Sequence, residues 1–517
     1  MSFRPIKFFF AFNCLLVTTT GVTLSQDKTV GKEKNKNIAE EHRPQIHFTP
    51  RQKWMNDPNG LVFHEGMYHL FYQHYPDSTV WGPMHWGHAT SSDMVHWKHE
   101  PIALFPDSIG MIFSGSIVID KNNTSGFGKN GQVPLVAIFT HHDVKGEKAG
   151  ANDFQKQSLA YSLDNGKTWT KYSANPVLKS PGIRDFRDPK VMWYEPGKRW
   201  IMSLAVFDRI HFYSSANLKE WVKESEFGEK AGAHGGVWEC PDLFSLMDDN
   251  GKQVWVLLVS INPGGANKGS ATQYFLGNFD GKHFKAIDTG TKWLDYGPDD
   301  YAGVTWFNTG ERRLFIGWMS NWLYGQEVPT IAWRSAMTLP RKLKLKRVQK
   351  GLLIASEPVN ELASIHGRSV VVKDLQVEKI ADVGKLTQPL QLPARFNLKL
   401  DEIKDFALTF SNDLNEKLVI GYDKKQDKYY IDRSESGKND FQADFAARLV
   451  APRFTKNAKM DVSLIVDVSS VELFADGGLS VMTAIFFPNI PYTKVKISST
   501  EKIVVKELEH ILLKGIW

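Results

Sequence analysis

Three acids stand on separate, β-like segments beside aromatic or basic residues. Asp57 lies in Trp54-Met55-Asn56-Asp57-Pro58-Asn59-Gly60, Asp188 in Arg187-Asp188-Pro189, and Glu239 in Trp238-Glu239-Cys240-Pro241-Asp242. Breaking a glycosidic bond needs such a set. One carboxyl protonates the leaving oxygen while a carboxylate on the other side meets the positive charge of an oxocarbenium-like state. Taken alone, Asp57 and Asp188 precede proline, and each then reads as a turn residue sooner than as a catalyst. The three together favour glycosidic chemistry, provided folding brings them around one pocket.

Other chemistries fit less well. His85 and His88, and the run His141-His142-Asp143, have metal-ligand character, but neither comes with a convincing partner motif. Met84 to Ala89 reads as a strand, where neighbouring positions face opposite sides. No metal and no cofactor are expected. The run Arg341-Lys342-Leu343-Lys344-Leu345-Lys346-Arg347 alternates basic and apolar residues like a half-buried strand. It lacks the aromatic-laced groove that single-stranded nucleic acid requires, so nucleic acid is not an expected partner. The formal charge of +6 is modest, and a neutral polysaccharide needs no strong field.

The first 25 residues read as an export signal, with Arg4 and Lys7 ahead of a short apolar run from Phe8 to Val17. That run is too short to cross a bilayer as a helix, so stable membrane insertion is not expected. Cys14 raises lipid anchoring as an alternative, although Phe12-Asn13 fits a lipidation signal poorly. Residues 26–43, rich in Lys, Glu and Asn, read as a disordered leader. Of the two cysteines, only Cys240 lies beyond the signal, so no intrachain disulfide is expected in the exported chain. A periplasmic or extracellular destination follows. The oligomeric state is not readable.

At 517 residues the chain exceeds what one core usually supports, and two domains are expected. Short aromatic and β-branched runs such as Met67 to Tyr72, Leu135 to Phe139 and Val254 to Val259 alternate with Gly, Asn, Asp and Pro, which marks an all-β chain. A weak repeat combines a strand end, a polar turn and an aromatic. It ends at Trp97, Trp169, Trp221 and Phe284, spacings of 72, 52 and 63 residues. Such units suit propeller blades of four short strands. Residues 44–350 then hold about five blades, with four or six also compatible and a β-sandwich as competitor. Residues 351–365 read as a linker or short helix, and 366–517 as a β-sandwich with an Asp476-Gly477 hairpin turn.

The motifs from Trp54 to Gly60, Arg187 to Pro189 and Glu239 to Asp242 resemble those of glycoside hydrolase family 32, the invertases, inulinases and levanases, and the likeness runs from Gln45 to the C-terminus. The resemblance implies a five-bladed β-propeller followed by a β-sandwich. It implies Asp57 as nucleophile, Glu239 as general acid/base and Asp188 as transition-state stabiliser, with Asp57 kept ionised and Glu239 protonated. Asn56, Gln73, Trp81, Phe113, Ser114, Arg187 and Trp318 are the implied sugar-binding residues. Trp238 is either an apolar wall beside Glu239 or a core residue. The implied substrate is levan or inulin, with sucrose as a smaller one. Exo attack is the first expectation, endo attack its rival and fructosyl transfer a third outcome. A non-catalytic carbohydrate-binding propeller is the reading from a different class, and it would have lost one of the acids.

Overall fold

The computed structural model describes residues 40–517. The expected export signal, and most of the expected leader, lie outside the described residues. The end of that leader is ordered, contrary to expectation. His42 and Arg43 are buried, and the Arg43 guanidinium donates to Thr49 Oγ1 (2.9 Å) and the carbonyls of Pro50 (2.8 Å) and Arg51 (3.0 Å).

Strands dominate. Five antiparallel sheets follow one another along the chain. Their first strands are β1 (Lys53–His64), β2 (Met111–Ile119), β3 (Phe186–Tyr194), β4 (Val237–Met247) and β5 (Tyr301–Thr305). β1 packs on β2, β2 on β3, β3 on β4, β4 on β5, and β5 returns to β1. The late strand Trp333–Arg334 pairs in parallel with the start of β1, so the end of this region is stitched to its beginning. The seams are apolar on both sides: Val118, Ile138, Leu159, Val191 and Met202 form one, and Phe212, Leu243, Leu257 and Phe275 belong to another. Strands buried on both faces in this way read as near-continuous apolar runs, as in Leu135–His142.

The sequence repeat marks one structural position. In each of the first four sheets it is the turn between the third and fourth strands. There Asp93, Asp164, Asn217 and Asp280 accept backbone N–H bonds from residues two to four positions on. These are Asx-type turns, in which a short side chain supplies the acceptor.

The expected linker is corrected in part. Gly351–Pro358 pairs along the whole of Arg341–Val348 as the outer strand of the fifth sheet, and only Asn360–Ile365, a 3-10 turn, separates it from the next strand, His366–Val377. Leu352, Leu353 and Ile354 give this segment enough apolar surface to join the sheet, and Ile354 packs beside Leu343 and Leu345. Two six-stranded sheets come next. Phe396, Leu398, Leu464 and Leu473 of one meet Leu408, Phe410, Ile420 and Ile431 of the other in a single core. The Asp476-Gly477 hairpin lies between β6 (Ser470–Ala475) and Ser480–Ile485, with Asp476, Gly477 and Gly478 all at positive φ.

Buried charge joins the two regions. Arg341 donates to Glu472 of β6 (Nε, 3.1 Å), Asp295 (2.9 Å), Asp300 (3.1 Å) and Thr483 (2.6 Å). His47 lies between Asp467 (2.7 Å) and Glu472 (3.0 Å). Although burial opposes its charge, hydrogen bonds and attraction from both carboxylates push His47 up to about 9.

Candidate active site

Each of the five first strands is irregular, and the functional side chains sit at the irregularities. Pairing slips between Met55 and Pro58 in β1, Ile112 and Gly115 in β2, Arg187 and Lys190 in β3, Glu239 and Asp242 in β4, and Tyr301 and Val304 in β5. Asp57, Ser114, Asp188, Cys240 and Ala302 fall inside these slips. Asp188, Cys240 and Ala302 have φ of 63°, 46° and 54°, a region that L residues avoid unless their surroundings demand it. A bulge interrupts the ladder and re-aims a side chain. Pro58, Pro189 and Pro241 have no N–H to lose at these points. The Asp-Pro pairs are therefore not turns at strand ends, as their sequence signal implies. They lie within strands.

Gly115 follows from the same geometry. A Cβ there would lie 2.0 Å from the Ile138 carbonyl oxygen, so only glycine lets the neighbouring strand approach behind Ser114.

The acids converge around Cys240. Asp57 accepts hydrogen bonds from Ser114 Oγ (2.8 Å) and Asn56 Nδ2 (3.0 Å), and the Cys240 thiol lies 3.5 Å from it. Asn56 is held in turn by Trp54 Nε1 (2.7 Å). Asp188 accepts the backbone N–H of Cys240 (3.1 Å), and its own N–H donates to Thr140 Oγ1 (3.1 Å). Arg187 donates through Nε (3.1 Å) and a terminal nitrogen (3.0 Å) to one oxygen of Glu239, and through its other terminal nitrogen to Asp185 (2.6 Å). The Tyr301 hydroxyl donates to the other oxygen of Glu239. Side-chain exposure of 20% at Glu239 and 12% at Arg187 leaves both open to a ligand.

Burial raises the proton affinity of Asp57, and the charge of Glu239 adds to it; Ser114, Asn56 and Cys240 oppose the shift. Asp188 is raised to about 7, first by burial, with Arg187 pulling down and Glu239 and Asp57 pushing up. Arg187 is itself held charged: burial opposes the cation, but Glu239, Asp188 and Asp185 outweigh it. The upward pressure falls on Asp57 and Asp188. One guanidinium faces several carboxylates, and their mutual repulsion adds to burial in raising both aspartates.

The other expected residues surround this cluster. Gln73 is buried on Met67–Tyr75, between the partners of Met55 and Pro58, and so lies across from Asn56 and Asp57. Trp81 is partly exposed and meets Phe113 edge-on at 6.0 Å, and Phe113 stacks on His142 at 4.3 Å. Trp318 is fully buried against Trp54, Trp322 and Tyr301. Gln73 Nε2 and Trp318 Nε1 are buried donors without a protein partner. Trp238 is not a wall of the site: its ring lies in the core with Phe275 and donates to the Ala233 carbonyl (2.9 Å).

The histidines serve separate purposes. His88 stacks on Phe71 and bonds His69 (3.0 Å), His141 bonds Ser158 (2.7 Å) and His142 bonds Glu147 (2.9 Å). Asp143 caps a short helix. Sequence reasoning overlooked Cys240, Tyr301 and Asp185 as site residues. Tyr301 carried a usable signal, because a phenol within an apolar strand needs a polar partner.

A cluster of acids around one arginine thus lies at the bulges of the first strands, with Glu239 and Arg187 partly open to solvent. Comparison with known proteins places it further. Residues 47–356 match the glycosyl hydrolases family 32 N-terminal domain, and residues 361–511 match the family 32 C-terminal region. A levanase of Bacillus subtilis is 46% identical over 92% of this chain and 71% of its own length. An extracellular exo-inulinase of Aspergillus niger is 38% identical over 90% of this chain and 93% of its own. Among solved structures, exo-inulinase from Aspergillus awamori superposes with a TM-score of 0.86 at 35% identity, covering 93% of this chain and 100% of that one. The chain belongs to glycoside hydrolase family 32 and is an enzyme of the glycosidase class.

Proposed function

We propose that this enzyme is an exported, retaining β-fructofuranosidase that removes terminal fructose from levan or inulin and accepts sucrose as a smaller substrate. Asp57 attacks the anomeric carbon, and Glu239 protonates the leaving oxygen and then deprotonates the water that releases fructose. Asp188 and Arg187 hold sugar hydroxyls as positive charge grows on the ring. Asn56, Ser114 and Cys240 keep the attacking carboxylate in place. Gln73 and Trp318 offer buried N–H groups that sugar hydroxyls would satisfy. Trp81 and Phe113 supply aromatic faces.

The five sheets form the blades of a propeller ending near Pro358, and the two six-stranded sheets form the sandwich from His366 onward. The circuit of contacts among β1 to β5 supports this reading. Export rests on residues 1–25, and among the described residues no helix is long and apolar enough to cross a membrane.

The observation that carries the proposal is the joint position of Asp57, Asp188 and Glu239 within hydrogen-bonding reach of Cys240 and Arg187. Its test is a time course on levan, inulin and sucrose that resolves fructose from oligosaccharides, run beside Asp57→Asn. Free fructose is expected from the first time point without an oligosaccharide ladder. The variant should keep the wild-type circular dichroism and lose turnover. Near-normal turnover by Asp57→Asn on every substrate refutes the assignment, and an early ladder makes the enzyme endo-acting.

A further inference from the structure

Phe207 is the first residue of a two-residue hairpin turn, since Val206 pairs with Arg209 on either side of it. Its φ is 56°, a conformation that glycine or asparagine adopts more cheaply in such turns. Its ring gains little from packing, because the residue is 54% exposed. A bulky aromatic held in a strained backbone without a core to fill suggests use by a ligand.

The backbone around Phe207 is fixed from both sides. Its N–H donates to the Asp185 carbonyl (3.0 Å), and its carbonyl accepts from the Trp238 N–H (2.7 Å). Asp185 binds Arg187, and Trp238 immediately precedes Glu239. The turn thus joins the strand of Arg187 and Asp188 to the strand of Glu239. The following residue, Asp208, lies 3.3 Å from His234 and 3.3 Å from Arg209, and His234 stacks on Trp238 at 5.3 Å.

We propose that Phe207, with Asp208 and His234, forms the subsite for the leaving-group sugar, the unit joined to the oxygen that Glu239 protonates. This rests on the reading of Glu239 as the general acid, because the leaving group must then lie on its side of the bond. The Phe207 ring meets the C–H face of that sugar and Asp208 accepts from its hydroxyls, while His234, bonded to the Gly228 (3.1 Å) and Ala231 (3.2 Å) carbonyls, holds Asp208 in place. Aromatic stacking beside short polar groups suits a flexible furanoside whose hydroxyls project from both faces.

The test compares methyl β-D-fructofuranoside, whose leaving group is too small to reach the turn, with a β-linked fructotriose. In Phe207→Ala and Phe207→Gly, the ratio of kcat/KM for the triose over the methyl glycoside should fall roughly tenfold. Phe207→Trp should restore it. Phe207→Gly relieves the backbone, so its apparent Tm should not drop, which separates lost binding from damaged folding. An unchanged ratio, or an equal loss on both glycosides, overturns the subsite. If the wild-type enzyme splits neither glycoside, the fructofuranosidase reading falls and the subsite falls with it.

Discussion

Replacing Asp188 by Asn should remove activity and raise stability at alkaline pH. The carboxyl is raised from an ordinary value near 3.8 to about 7, chiefly by burial and then by its acidic neighbours. An acid harder to ionise in the folded state than in the unfolded one makes its full stabilising contribution below about 3.8. That contribution is lost as pH rises through about 7. A shift of this size corresponds to about 4 kcal/mol at most, and because Asp57 and Glu239 share the repulsion, about 2 kcal/mol is the better expectation for one residue. The amide oxygen that Asp188→Asn introduces can still accept the Cys240 N–H, so the bulge keeps its tie. The assay is apparent Tm from pH 4 to 9 for both proteins, with turnover measured beside it. The variant should melt a few degrees higher than wild type at pH 8 and close to it at pH 4. A lower Tm at pH 8, or a gain that persists undiminished at pH 4, refutes the reasoning.

Glu239→Gln keeps a partner for Arg187 and Tyr301 but has no transferable proton, so kcat should fall about 10²- to 10⁴-fold with little change in fold, checked by steady-state kinetics and circular dichroism. His47→Gln should flatten the alkaline end of the stability profile. The raised His47 contributes fully below about 6.5 and loses that contribution as pH rises through about 9, a term of about 3 kcal/mol read from Tm between pH 6 and 10. Arg341→Met leaves Glu472, Asp295 and Asp300 buried without their cation and should cost about 3–5 kcal/mol in denaturant unfolding.

The residues that gather at the site were legible because the acids stand in short motifs with their immediate partners, as Asn56 does beside Asp57 and Arg187 beside Asp188. The repeat ending at Trp97, Trp169, Trp221 and Phe284 was legible because an Asx turn leaves a local signature of one acidic or amide residue and one ring. The bulges were not, since a slip in pairing is a relation between two strands. Asp-Pro signals a turn when read along one of them. Gly351–Pro358 was misread for a similar reason: a short strand beside a proline looks like a linker until its partner Arg341–Val348 is in place. Trp238 shows the limit of alternation, because a bulge one residue later resets which side of the strand faces the core.

The same bulges explain why the site needs so much support. Gathering several carboxylates about one guanidinium builds in repulsion, and three residues at positive φ in β3, β4 and β5 add backbone strain. Both must be resisted by surroundings that do not move. Arg341 is part of that resistance. It ties Glu472 and Thr483, on the two strands of the sandwich hairpin, to Asp300 at the start of β5, and the next residue, Tyr301, reaches Glu239. Asp242 does the same from β4, accepting the Thr305 backbone N–H (2.6 Å) and hydroxyl (2.8 Å). Glu239 is thus held between a strand clamped to its neighbour and a tyrosine anchored through the sandwich. Those attachments let a carboxylate cluster that would relax in a softer fold keep one geometry.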